Sequence, residues 1–256
     1  KHPIYAHTAQ LLKMDGNSKR KLSKRKDPEL ALSYYQEEGY LPESMWNYFL
    51  TILNWNYEEW RTANPSKHYL EFPFSIDKMS KSGALFDLAK LKNISRDIIA
   101  SKSSEFIYNE LCNWAKQFDT PFYNALSSNP EYAISAISVG RDEKNPRKDY
   151  SNWREAKEFL SFYFDDTFNR EETFPESIDI ESSKKILSAY MKSFDYNDDS
   201  DTWFSKIKQI TENYGFASQI KKYKQNPELY KGSIIDVTNI IRIALMGRQM
   251  HRIYGW

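Results

Sequence analysis

Lys21-Leu22-Ser23-Lys24-Arg25 follows Asp15-Gly16 and precedes Asp27-Pro28. Asp-Gly and Asp-Pro mark turns and element boundaries, so the five residues read as a loop rather than as regular helix. Two lysines three apart around a serine on such a loop can wrap a polyphosphate from one side and neutralise charge as it develops. A solvated basic surface loop has the same composition. The flanking residues decide between the two.

Downstream, Asp27 as N-cap and Pro28 at the first helical position predict a helix that Gly39 closes, with Leu30, Tyr34 and Tyr35 on one face. Pro42 opens a second helix whose Met45, Trp46, Phe49, Leu50 and Leu53 form an apolar stripe. Residues 54–92 read as loops and short helices broken at Pro65 and Pro73. From Ser103 the pattern is helical: Phe106, Ile107, Leu111, Trp114 and Phe118, then Pro130 to Val139, Trp153 to Phe164, a segment around Ile186 and Tyr190, Trp203 to Tyr214, and Ile234 to Leu245. Trp46, Trp114 and Trp203 are expected in the core. The acidic stretch Asp195 to Asp201 reads as a linker, because its charges could not be buried unpaired.

With 36 basic and 35 acidic residues among 256, the net charge is only +1, so any nucleic-acid contact must come from local patches. The one cysteine, Cys112, excludes an intramolecular disulfide. Without a secretory signal or an apolar run of spanning length, a soluble cytoplasmic protein with no membrane contact is expected. His2, His7, His68 and His251 lack metal-ligand spacing, so no metal site is expected.

Several further features stand in fixed order: His7, Leu11-Leu12, Asp15-Gly16, the basic loop, Tyr34, Gly39-Tyr40-Leu41-Pro42, Asn47-Tyr48, Leu53-Asn54-Trp55, and Ser80 to Asp87 with Lys90-Leu91. This series resembles bacterial-type glutamyl-tRNA synthetase from its second signature loop onward. There the class I lysine-methionine-serine-lysine-serine loop takes the form lysine-leucine-serine-lysine-arginine. The resemblance is strongest over residues 1–100 and continues to about residue 248. The first signature, histidine-x-glycine-histidine, is absent, as are the glutamate-binding residues, so the chain reads as a C-terminal portion. Lys78-Met79-Ser80-Lys81-Ser82 spells the general signature letter for letter, but no strand precedes it to aim it, and the earlier loop is preferred.

The resemblance implies a mainly α fold: the end of a Rossmann-type α/β domain (1–26), a stem-contact region (27–101) and a helical anticodon-binding domain (102–256) with a break near 195–201. It implies catalytic roles for Lys21, Ser23, Lys24 and Arg25, with ATP contacts from Lys24, Lys21 and His7. It also implies tRNA contacts from Arg141, Arg147 and Lys148, and from Arg242 and Arg248 near the end of the chain. Met246 departs from the family's threonine, and Gln249 to Trp256 do not match its continuation. The parent would use ATP and Mg²⁺ to join glutamate to its tRNA as a monomer, with the tRNA for glutamine left open as a second acceptor. This portion alone is expected to be inactive and to bind no cofactor. The rival expectation is a stand-alone RNA-binding or scaffolding module without a catalytic role.

Overall fold

The computed structural model describes residue 5 and residues 8–79, 81–141, 144–175 and 178–249. The chain forms two compact units, Lys1–Leu160 and Ser161–Trp256.

The first unit begins with a hairpin. Strand β1 (Leu11–Asp15) turns at Gly16, whose φ of 60° suits glycine, and pairs antiparallel with β2 (Ser18–Lys21). On its other side β1 pairs in parallel with β3 (Ala84–Leu85), giving the sheet order β2-β1-β3. Gly83 permits this join: a Cβ there would lie 2.7 Å from the Gln10 carbonyl oxygen.

After a 3-10 turn over Pro28–Leu30 come α1 (Leu32–Glu38), α2 (Pro42–Leu53), α3 (Tyr57–Ala63) and α4 (Leu88–Ala100). The helix expected to start at Pro28 therefore starts at Leu32. Asp27 makes no capping hydrogen bond, because its carboxylate is engaged elsewhere. The stop at Gly39 and the start at Pro42 match expectation.

On α2 the buried positions are Ser44, Asn47 and Tyr48, with Met45, Phe49 and Ile52 flanking them against the core of Leu22, Tyr35, Tyr40, Phe86 and Leu91. Trp46 corrects the sequence reading. It is 52% exposed and stacks on Tyr69, because the buried face is turned toward residues that hydrogen-bond, away from the far edge of the apolar stripe.

The rest of the unit is α5 (Ser104–Phe118), α6 (Thr120–Ser128), α7 (Pro130–Ser138) and α8 (Trp153–Leu160). Asp87, Ser103, Asp119 and Asn129 cap α4, α5, α6 and α7 by accepting from first-turn N–H groups, each worth about 1 kcal/mol. Trp114 is buried and donates its indole N–H to the Glu37 carbonyl. A buried hydroxyl chain ties α2 to α4 and to the approach to α8. Ser95 Oγ lies 2.9 Å from Ser44 Oγ and 2.6 Å from the Ser151 carbonyl oxygen. A hydroxyl has one proton, so Ser44 donates to Ser95 and Ser95 to the carbonyl.

The second unit contains α9 (Ile180–Ser193), α10 (Ser200–Asn213), α11 (Ile220–Gln225) and α12 (Ile234–Met246). Ile186, Ile207, Ile210, Val237, Ile240 and Ile241 interlock in its core, with Trp203 half-buried against them. The acidic stretch joins α9 to α10 within this one core, and the boundary between the two compact units falls after Leu160. Its charges stay solvated or locally paired: Asp199 caps α10, and Asp198 meets Lys206 at 2.6 Å. Among the described residues no helix is long and apolar enough to cross a membrane.

Candidate functional site

The basic loop leaves the end of β2 and returns to Asp27. Leu22 is its plug: the side chain is buried, and its N–H donates to the Leu11 carbonyl at 3.1 Å. The Ser23 carbonyl accepts from the N–H groups of Lys26 and Asp27, which closes a tight turn. Lys21, Lys24 and Arg25 are exposed, and among the described residues their side chains have no ion-pair partner. Ser23 is half-buried, with its N–H donating to Asp27 Oδ2 at 2.7 Å.

Beneath the loop lies a second set of charges that the sequence reading did not single out. The Arg20 guanidinium donates through Nη1 to Asp27 Oδ2 at 2.7 Å and through Nη2 to Asp27 Oδ1 at 2.8 Å. Its Nε donates to Asp15 Oδ2 at 2.9 Å. Lys13, opposite Arg20 in the β1–β2 register, donates to Glu29 at 2.7 Å. The Arg20 fork and the Ser23 N–H hold the Asp27 carboxyl well below the usual carboxylate range. Successive strand residues face opposite sides. Arg20 therefore points to the carboxylates, and its neighbours Lys19 and Lys21 point away. The usable signal in the sequence was this alternation on β2.

The loop faces open solvent. An apolar cleft lined by Leu11, Phe49, Ile52, Leu53, Met79 and Ala84 among others holds about 90 Å³. Ligand pockets run to about 300–1,000 Å³. In the rival signature Lys78 closes a 3-10 turn and lies over the Trp55 ring at 5.5 Å, and Ser80 lies outside the described residues. His7 also lies outside them.

The other expected contacts divide into committed and available cations. Arg141 is committed: its Nη2 donates to the carbonyls of Ile99 and Lys102, at 2.5 and 3.2 Å, closing the end of α4. Arg147 donates to Asp149 Oδ1 at 3.0 and 3.2 Å and lies over the Phe159 ring. Burial pushes the Asp149 carboxyl up despite Arg147. Lys148 is available: among the described residues its ion pair is with Asp97 at 2.6 Å, where both side chains are more than half exposed. Such a pair is worth about 0–1 kcal/mol.

In the second unit Arg242 is half-buried on α12 between buried Ile241 and Ile243, and has no ion pair among the described residues. Arg248 follows the helix cap at Gly247 and lies 3.5 Å from Glu171. No group of three or more His, Cys, Asp or Glu that could hold a metal gathers among the described residues.

No family model matches the chain. Individual proteins do. A glutamate–tRNA ligase of Acetivibrio thermocellus is 47% identical over 246 residues, covering 96% of this chain and 45% of that protein. One of Clostridium perfringens is 44% identical over 250 residues, covering 96% and 46%. The chain thus spans less than half the length of the curated relatives it matches. A crystal structure of a glutamate–tRNA ligase from Elizabethkingia meningosepticum in complex with its amino acid superimposes with a TM-score of 0.51 at 20% identity, over 96% of this chain and 46% of that one. The fold is shared with that structure, and the alignment with the curated relatives runs over 96% of the chain at 44–47% identity: the chain is homologous to one part of the glutamate–tRNA ligases.

Proposed function

We propose that this chain supplies the second ATP-binding loop and the tRNA grip of a glutamate–tRNA ligase, as the C-terminal part of a longer enzyme. That enzyme would activate glutamate with ATP and transfer it to its tRNA, as a cytoplasmic monomer. The observation that carries the reading is the exposure of Lys21, Lys24 and Arg25 on a loop whose base is pinned.

Exposed ammonium and guanidinium groups suit a triphosphate. Lys24, aided by Lys21, would meet the negative charge that grows on the departing pyrophosphate, and Ser23 would shape the turn. Preorganised donors of this kind are worth roughly 3–4 kcal/mol in a transition state. Mg²⁺ would arrive on the triphosphate, held by phosphate oxygens with waters completing its coordination. His7 would stand at the edge of the nucleotide site. Residues 1–26 would end the catalytic domain, 27–101 would contact the acceptor stem, and 102–256 would bind the anticodon arm through Arg147, Lys148, Arg242 and Arg248. Arg141 serves that surface by shaping its loop. The stand-alone RNA-binding or scaffolding reading is not favoured, since the match to ligases covers 96% of the chain.

The test is pyrophosphate exchange with glutamate in the full-length ligase that carries this sequence. Lys24→Ala should slow it by about a hundredfold or more with little change in tRNA affinity. A loss of that size from Lys81→Ala instead would move the site to the other signature. The isolated chain should show neither exchange nor charging, and activity above background in a clean preparation would refute its role as a part.

A further inference from the structure

We infer that Arg20 and Asp27 are positioning residues, a clamp across the base of the basic loop that fixes where Lys21, Lys24 and Arg25 are presented. This rests on the nucleotide-loop reading above. The clamp joins the residue just before the loop to a residue just after it, so the loop between them is a closed ring. Both oxygens of Asp27 are used. Oδ1 takes Nη2 of Arg20, and Oδ2 takes Nη1 of Arg20 together with the Ser23 N–H inside the ring. Its side chain is only 1% exposed, and Lys13 stands 3.6 Å away as a second cation.

Arg20 has little left for a ligand. Nε is held by Asp15, and Nη1 also reaches the Lys21 carbonyl at 3.2 Å. The Arg20 guanidinium is therefore engaged by the protein's own groups. Without the fork, closely spaced cations would repel one another and the ring would open. A charge displaced by about an ångström can forfeit a hundredfold in rate. Lysine cannot replace this arginine, since an ammonium does not present two parallel donors.

The experiment uses the full-length ligase carrying Asp27→Asn, Asp27→Glu, Arg20→Lys or Lys24→Ala. It reads kcat and KM in pyrophosphate exchange, the rate of tryptic cleavage within residues 21–26, and the thermal melt by circular dichroism. Asp27→Asn should lower kcat about tenfold to a hundredfold with KM for glutamate unchanged. It should speed cleavage in the loop at temperatures where the protein remains folded, and Asp27→Glu should recover part of both. Should Asp27→Asn not fold, Arg20→Lys gives the same comparison. Full activity in Asp27→Asn, alongside a hundredfold loss in Lys24→Ala, would overturn the clamp and leave the loop assignment standing. Full activity in Lys24→Ala would overturn the loop assignment and the clamp's role with it. Faster cleavage throughout the chain with a lowered melt would reduce the pair to a stabilising contact and overturn the positioning role.

Discussion

Gly39 and Trp153 touch so closely that a Cβ on Gly39 would lie 2.5 Å from the Trp153 Cβ and 2.8 Å from its Cδ1. The Gly39 carbonyl accepts the Trp153 N–H at 3.1 Å, and Gly39 itself holds φ at 78°. Gly39→Ala thus meets two obstacles, a left-handed backbone costing about 1–2 kcal/mol and an overpacked contact costing about 1–3 kcal/mol. The melting temperature of the first unit should fall by roughly 5–15 °C in calorimetry.

Ser95→Ala should destabilise more than Ser44→Ala. The first change orphans the buried Ser151 carbonyl and the Ser44 hydroxyl, at about 1–3 kcal/mol. The second leaves Ser95 still donating to that carbonyl, at roughly 0.5–1.5 kcal/mol. Urea titrations should show the two midpoints in that order with unchanged slopes.

Asp27 gives acid sensitivity a sign. Its folded pKa lies below the unfolded value, chiefly because Arg20 and the Ser23 N–H bind the carboxylate. Its contribution is therefore complete above about pH 4, the unfolded value, and disappears as the pH falls through the lower folded value. The stability gap between the native chain and Asp27→Asn should be widest near neutrality and shrink steadily below about pH 4. Denaturant titrations from pH 7 to pH 2.5 measure it; a gap that widened toward acid would contradict the bonding seen.

The arginines and lysines proposed to meet RNA should separate by phenotype. Lys148→Ala should weaken every tRNA alike and lower the log–log salt slope by about one, leaving the melt unchanged. Arg141→Ala should do the reverse, because it removes the donor that closes α4. Arg242→Ala should cost roughly 1–3 kcal/mol on the tRNA for glutamate and little on one with an exchanged anticodon. Fluorescence titrations at two salt concentrations make the comparison. Equal losses on both RNAs would leave Arg242 a structural or phosphate-contacting residue.

Much of this architecture can be read from local rules. Proline at the start of α2 and α7 and glycine at the end of α1 obey backbone constraints that no tertiary contact overrides. Asp27 was misread because the Asp-Pro pair satisfies the rule for a cap while the carboxylate is claimed by Arg20, a partner that appears only once the hairpin forms. Trp46 was misread for a related reason. Hydropathy ranks it above Ser44 and Asn47, but those two are buried with partners: Ser44 with Ser95, and Asn47 with the Tyr57 hydroxyl at 2.6 Å. The loop cations were legible as a spaced cluster. The division between those that hold the loop and those that face outward required the alternation of a strand only four residues long.

The parallel join of β1 to β3 also sets an order of events during synthesis. The β1–β2 hairpin can close within microseconds of emerging. Leu11 cannot find Ala84, nor Leu12 find Leu85, until the ribosome has made everything between them. At roughly 5–20 residues per second that takes several seconds. Throughout this interval β1 exposes a row of unpaired backbone groups, a template for the wrong neighbour. β1 is only five residues long, so the nascent chain carries the exposed edge with little surface for mispairing.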